Sequence, residues 1–567
     1  MKQTTHDNAA NRNSYIGEIH SIGEKSVKEE ILDSLPAEWA KLHREGTIHI
    51  HDLDGYGYTY NCLTFDFSRY PFDEFKSGSE LSKVARIFNW MKLTFEEYGN
   101  EQSGGMAFPN FGDDLVAIFD KIGVKDSQSV RDMIDSELSA LVEWCTFNHT
   151  RMGKTSYYVS FNIGLAQTDL ARHIEASLIK AFKEAGPKVY KPNIVFKVKD
   201  GINLKEGDPN HDLLLLALAC TAEKMIPTYL LADCEEDRQT DPRLLSVMGC
   251  RTRVVDDLYG HKGATGRGNI TNISINLPRI ALKIEQEYPD APVDDKVATF
   301  QKRWLDVAST VKDILIDRDK KLLKRAKDDF PANLKYKTWC APLDGPNGVE
   351  EAFKHGTLSI GFIGLSEAVE VLTGKRFYAD MPTYLIAYGI VKGMRTYCDF
   401  LRKETGYNFS LLATAGELIS GRFVEIDSKR YTPKEDIFSK GFYTNSFHVN
   451  VDSGLSKTKK IQTEGLFHTL CNGGSISYVE MGEAPLGNEE GLLELIETAV
   501  RSGVHYLGFN FPKDICDECG EAGVFDECPC CHSKSITRIR RVSGYLEVLD
   551  GFTSGKKAEE KTRKRNG

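Results

Sequence analysis

The chain has 567 residues, 41% of them hydrophobic and 27% charged, with a formal net charge of -10. That is globular composition, long enough to bury a large core. The acidic balance and the lack of a basic domain argue against a sequence-independent nucleic-acid binder.

The opening stretch "MKQTTHDNAANRNS" has no apolar run followed by a small-residue cleavage site, so it does not read as a secretion signal. Residues 1–45 read as a helical segment, with "VKEEILDSLPAEWAKLHREG" amphipathic. From 46 to 510, strand-like runs such as "KPNIVFKVKDG" and "HGTLSIGFIGL" alternate with helical ones such as "DLLLLALACTAEKMI" and "GLLELIETAVRSG". This alternation predicts an α/β fold with a substantially parallel sheet. No fixed-period repeat or Pro/Ser linker divides it, which predicts one large domain. The longest apolar runs fall short of the roughly 20 residues that a membrane helix needs. A soluble, cytoplasmic protein with no membrane and no nucleic-acid partner is therefore expected. The ending "GKKAEEKTRKRNG" is short, basic and mixed in sign, and is expected to be solvated and disordered.

Of thirteen cysteines, eight are scattered singly, at 62, 145, 220, 234, 250, 340, 398 and 471, and five crowd into 516–531. Reduced thiols plus a metal site fit this pattern better than a disulfide framework. Cys516 and Cys519 form one C-x-x-C, Cys528 and Cys531 a second, and four such thiolates suit a closed tetrahedral Zn²⁺ site. Cys530 and His532 leave the last ligands open, although the Cys528/Cys531 pair keeps the knuckle spacing. An iron–sulfur cluster matches the paired spacing less well. A closed site has no position for substrate, so its expected role is structural: a zinc ribbon at 511–535 that pins the segment after it. That segment, 536–567, contains "RIRRVSGYLE", where Gly544 stands between strand-like flanks with no Asn, Asp or Pro beside it. A turn is the ordinary reading of such a glycine.

An R-V-x-G-Y preceded by two cysteine knuckles resembles the anaerobic (class III) ribonucleoside-triphosphate reductases, which are glycyl radical enzymes. Further segments match in order: "HIHDLDGYGYTYNC" (49–62), "MGCRTRV" (248–254), "GRGNITNISINLPRIAL" (266–282), "HGTLSIGFIGLSEAVEVLTG", "YTNSFHVNV" and "NGGSISYVEM". The resemblance implies a ten-stranded α/β barrel of two antiparallel halves, with a finger loop through its centre and a glycine loop beside it. It implies anaerobic reduction of ribonucleoside triphosphates to deoxyribonucleotides. Cys250 would bear the thiyl radical, Gly544 would store the radical, and Cys62 would be the second active-site cysteine. A thiyl radical can take the 3′ hydrogen of ribose, and a glycine α-carbon radical is stabilised by the nitrogen and carbonyl on either side. Gly544→Ala is expected to fold and bind nucleotide but never turn over.

The same resemblance suggests substrate contacts at Asn61, Asn269 or Asn276, and Asn445; Asn269 and Asn276 could equally be buried structural asparagines. Substrate phosphates are expected at the start of the helix in "SLLATAGELISGRF", where the chain has Thr414, Ala415, Gly416 and Glu417 in place of the usual Thr-Pro-Ala-Glu. "GATGRGN" lacks the strand–GxGxxG–helix context and is assigned no dinucleotide. Formate is the expected reductant, because no adjacent cysteine pair lies outside the knuckles; a thioredoxin-like protein is the alternative. The family implies a homodimer, dNTP or ATP effectors at its interface, and a radical-SAM activase, which must be a separate protein since no C-x-x-x-C-x-x-C occurs here. The HDLD segment begins too early to leave room for an N-terminal ATP-cone. Pyruvate formate-lyase and diol dehydratase relatives lack the knuckles and the "MGCRTRV" context, and a non-enzymatic regulator predicts loss of Cys250 or Gly544.

Overall fold

The computed structural model describes residues 15–148, 158–254 and 257–564. The stretch 1–14 and the last three residues of the basic tail lie outside the described residues. Short apolar runs form the interior strands: β1 Ile48–Ile50, β2 Cys62–Thr64, β3 Met106–Phe108, β4 Val159–Ile163, β5 Asn193–Val198, β6 Thr228–Leu231, β7 Gly268–Asn276, β8 Thr357–Ile363, β9 Asn408–Ala413, β10 Ser477–Glu480 and β11 Tyr506–Asn510. Every residue in them is buried. Both faces of the strands are covered, so that even the polar residues of β4 and β7, such as Ser160, Asn162, Thr271 and Ser274, are buried.

β2 to β6 lie side by side in chain order, all parallel. β7, β8 and β9 are parallel to one another, as are β10 and β11. The two halves meet antiparallel at β2–β7 and at β6–β11. Between β9 and β10, Gly473 donates to the Leu411 carbonyl (2.8 Å) and Ala413 to the Gly474 carbonyl (3.0 Å), bridging the remaining gap. The barrel of two antiparallel halves expected above is thus observed. β1 pairs with the far end of β7 and β2 with its near end, so residues 51–61 loop out between two pieces of one edge. Helices pack outside, the longest being Val293–Leu323 and Met381–Thr405. The second opens on a reciprocal Asp380–Thr383 capping box and ends at Gly406 with φ +73°. Among the described residues no helix is long and apolar enough to cross a membrane.

The C-terminal region is a separate antiparallel sheet of β12 Lys513–Cys516, β13 Ala522–Gly523, β14 Ile536–Arg541 and β15 Leu546–Val548, in the order β13-β12-β14-β15. The boundary expected at 535 falls inside this sheet, because β12, which carries Cys516, is paired along its length with β14. Gly544 sits in the loop joining β14 to β15.

The basic tail departs from expectation. Ser554–Thr562 is a helix with Lys556 and Glu559 buried, lying on the helix Leu418–Asp427 where Gly555 meets Gly421 backbone to backbone. Its buried charges are paired within the fold. Lys556 binds Glu559 at 2.6 Å, Arg563 binds Glu480, Glu559 (2.9 Å) and Glu560 (3.1 Å), and Glu560 binds Arg540 at 3.0 Å.

Candidate active site

The segment 248–252 is a tight hairpin. Met248 and Thr252 exchange backbone hydrogen bonds of 2.9 and 3.1 Å, leaving Gly249 (φ +57°), Cys250 and Arg251 at the tip. A Cβ on Gly105 would lie 2.4 Å from the Gly249 Cα, so the tip approaches the barrel wall as only glycine allows. Side chains from the first half grip this loop. Asn162 of β4 bonds Val247 on both sides, accepting from its N–H at 3.1 Å and donating to its carbonyl at 3.3 Å. From β5, Asn193 donates to the Gly249 carbonyl (3.2 Å) and Lys197 to the Pro242 carbonyl (3.2 Å). On the return, Arg253 donates its N–H to the Gly473 carbonyl, and its guanidinium pairs with Asp237 and Glu236. Burial alone raises the Asp237 carboxyl, but Arg253 and His505 beside it hold it down at about 2.

A cavity opens at the tip. Cys62, Asn61, Cys250, Ala415 and Glu417 all line it, although they come from three separate parts of the chain. The Cys62 thiol donates to Asn61 Oδ1 at 2.8 Å and accepts the Gly105 N–H at 3.2 Å, and the Asn61 amide donates to Asp52 at 2.8 Å. Burial pushes the Cys62 thiol up to about 12 despite the Gly105 donor, so near neutrality it is protonated. The Arg251 guanidinium donates to Cys250 Sγ and to the Ala413 carbonyl (2.9 Å).

The glycine loop closes one side of this cavity. A Cβ on Gly544 would stand 1.5 Å from the Cys250 carbonyl oxygen, so the two loops touch through backbone. Glu417 holds the glycine loop to the start of the helix Leu418–Asp427: it accepts from the Tyr545 hydroxyl (2.7 and 2.9 Å) and from Ser543 Oγ (3.4 Å). Burial, then the Glu417 charge, drives the Tyr545 phenol well above its ordinary value, so it stays a donor. Glu547 is held by Tyr190 (2.8 Å) and Lys191 (3.3 Å).

Not every residue anticipated from sequence reaches the cavity. Thr414 and Gly416 belong to the loop at its edge, with Thr414 Oγ bonded to Ser274 Oγ at 2.8 Å. Asn269 is buried behind it, its amide donating to Thr357 and Ser359. Asn276 caps the helix Leu277–Glu287 and donates to Gly46 and Asp427. Asn445 lines a different cavity, alongside Glu559 and Arg563 of the tail. Asn269 and Asn445 thus do not line the cavity shared by Cys62 and Cys250. Asn272, Tyr158, His51, Asp52, Thr252 and Tyr545 do line the cavity, without having been singled out. Tyr158 has no sequence signal, whereas His51, Asp52 and Tyr545 lie inside the quoted motifs.

At the knuckles the sulfurs of Cys516, Cys519, Cys528 and Cys531 all lie within 4.8 Å of one another, with Cys516–Cys531 at 3.4 Å and Cys519–Cys528 at 3.5 Å. Tetrahedral Zn–S bonds of about 2.3 Å place sulfurs roughly 3.8 Å apart, which this set fits. Cys530 and His532 stay outside the set.

The family profile described as anaerobic ribonucleoside-triphosphate reductase matches residues 7–565. The enzyme of that name from Escherichia coli (strain K12) is 31% identical over 576 residues, covering 93% of this chain and 78% of the relative. That of Enterobacteria phage T4 is 28% identical over 569 residues, covering 93% and 91%. Among solved structures, an anaerobic ribonucleotide reductase superposes with a TM-score of 0.74 at 14% identity, over 97% of this chain and 90% of the other. The anaerobic ribonucleotide reductase from Thermotoga maritima in complex with dATP and CTP gives 0.70 at 14%, over 97% and 92%. The chain belongs to the anaerobic ribonucleoside-triphosphate reductase family, a family of oxidoreductases.

Proposed function

We propose that this enzyme reduces ribonucleoside triphosphates by glycyl and thiyl radical chemistry with formate as reductant. The observation that carries the reading is the meeting of Cys250 and Cys62 at one cavity, with Gly544 behind it in backbone contact with Cys250. A hydrogen atom passes from the Cys250 thiol to the Gly544 radical carbon, leaving a thiyl radical at the cavity. The thiyl takes the 3′ hydrogen of the ribose, and the 2′-OH leaves as water once protonated. Cys62, held as a thiol by burial, then serves the 2′ position. Formate supplies two electrons and leaves as CO₂, and the 3′ hydrogen returns from Cys250. In sum a ribonucleotide, formate and a proton give a deoxyribonucleotide, CO₂ and water.

Formate is favoured over a dithiol protein by the cavity lining. Reduction through a disulfide needs two thiols besides the one that bears the radical, and Cys62 and Cys250 are the only cysteines among the described lining residues. The loop of Thr414, Ala415, Gly416 and Glu417 supplies backbone N–H groups for phosphate at the start of the helix Leu418–Asp427, which has no side-chain cap. Cys516, Cys519, Cys528 and Cys531 would hold a structural Zn²⁺ that keeps β12 against β14 and the glycine loop in place. Because the Thermotoga maritima enzyme has been seen with dATP in a specificity site, a dNTP or ATP effector site is proposed here as well, together with a homodimer and a separate radical-SAM activase.

The test is anaerobic turnover of CTP by the activated enzyme, with formate in one arm and a thioredoxin system in the other. Formation of dCTP with formate alone is expected. Turnover only with thioredoxin overturns the reductant, and none with either overturns the reaction.

A further inference from the structure

Arg541 precedes the glycine loop and is 2% exposed. Its guanidinium makes three hydrogen bonds, all to backbone carbonyls: Nε to Phe509 at 3.1 Å, Nη2 to Met225, and Nη1 to Gly544 at 3.3 Å. Its neighbour Arg540 pairs with Asp514 (2.6 Å) and Glu560 (3.0 Å), whereas among the described residues no carboxylate lies within 4.0 Å of Arg541. Burying a cation with no carboxylate in contact, only the more distant charge of Glu480, is costly. A loop anchor alone does not need one, because a neutral amide also donates to carbonyls. The positive charge is aimed at the carbonyl of the residue that would carry the radical.

We propose, building on the glycyl-radical reading above, that Arg541 tunes the Gly544 radical against the Cys250 thiyl. In a glycine radical the unpaired electron is shared among Cα, the amide nitrogen and the carbonyl oxygen. A cation hydrogen-bonded to that oxygen strengthens the carbonyl's pull and draws spin away from Cα, which stabilises the carbon-centred radical. The step affected is the transfer of one hydrogen atom: the Cys250 S–H bond breaks, the Gly544 C–H bond forms, and the unpaired electron ends on sulfur with no change in charge. Arg541 therefore sets how readily the stored radical is passed on.

The test uses the activated, full-length enzyme. In wild-type protein carrying ¹⁵N-arginine, electron–nuclear double resonance on the radical should show a ¹⁵N coupling and an exchangeable proton coupling that vanishes in D₂O. Arg541→Gln should widen the α-hydrogen splitting and shorten the anaerobic half-life of the radical by about tenfold, as loss of a charge-assisted bond implies. Arg541→Lys should restore both toward wild type. A wild-type radical with no ¹⁵N coupling overturns the proposal, and so does an Arg541→Gln radical with unchanged splitting and half-life. If Arg541→Gln fails to fold or to form a radical, the wild-type labelling result decides alone. Absence of any radical in activated wild type instead refutes the glycyl-radical reading itself.

Discussion

At Gly544 two demands coincide. The radical centre must flatten, and the loop must lie against the Cys250 backbone, where any Cβ would be 1.5 Å from a carbonyl oxygen. Gly544→Ala should therefore leave the barrel and nucleotide binding intact but push the loop out, a stronger consequence than the expected loss of turnover alone. Hydrogen–deuterium exchange across 541–548 should rise with turnover absent; unchanged exchange contradicts the contact. Cys62 gives a pH prediction. Its folded value of about 12 lies above its ordinary 9.0, so its contribution to stability is complete below pH 9. That contribution is lost as pH rises toward 12, at about 1.4 kcal/mol per unit. Iodoacetamide labelling of Cys62 in the native enzyme should stay low up to pH 10, and rapid labelling at pH 8 contradicts the burial. That Cys250 and Cys62 meet at one cavity with Gly544 beside them was legible because each sits in a local motif. Among Asn269, Asn272 and Asn276, the one that faces the cavity depends on a bulge between Asn269 and Thr271, which leaves no mark in the sequence.

At the scale of elements, the finger hairpin is held by side chains from strands distant in sequence. Asn162→Leu removes both bonds to Val247 and should lower kcat by about a hundredfold with KM little changed, since small misplacements of a reacting group are that costly. Steady-state kinetics on the activated variant check this, and an equal rise in KM contradicts it. The tail helix was illegible for a related reason: its charges are paired with residues such as Glu480 and Arg540 that are remote in the chain, and a mixed-sign run reads as solvated. Arg563→Ala removes the cation bound to buried Glu480, leaves Glu559 with Lys556 alone, and should cost the C-terminal unit about 3 kcal/mol. Differential exchange confined to 538–564 is the readout. Removing metal from the four-cysteine set should likewise loosen β12 from β14, with proteolysis appearing in 513–548 while the barrel resists.

Across the whole molecule, the alternation of apolar strands and helices was visible from end to end, but barrel closure was not. Closure depends on β1 and β2 sharing one edge of β7 and on Gly473 and Gly474 bridging β9 to β10, pairings between residues far apart in the chain. The closed barrel brings Cys62 from one half and the finger loop between the halves to a common cavity, and the C-terminal sheet lays the glycine loop across it. The central claim is that Gly544 stores a radical there. It is tested most directly by activating the enzyme anaerobically, recording its electron paramagnetic resonance spectrum, admitting air and weighing the chain by mass spectrometry. A doublet signal is expected, then cleavage at residue 544 to the extent that radical was present. An activated enzyme that makes dCTP with no doublet and emerges from air uncut would contradict it.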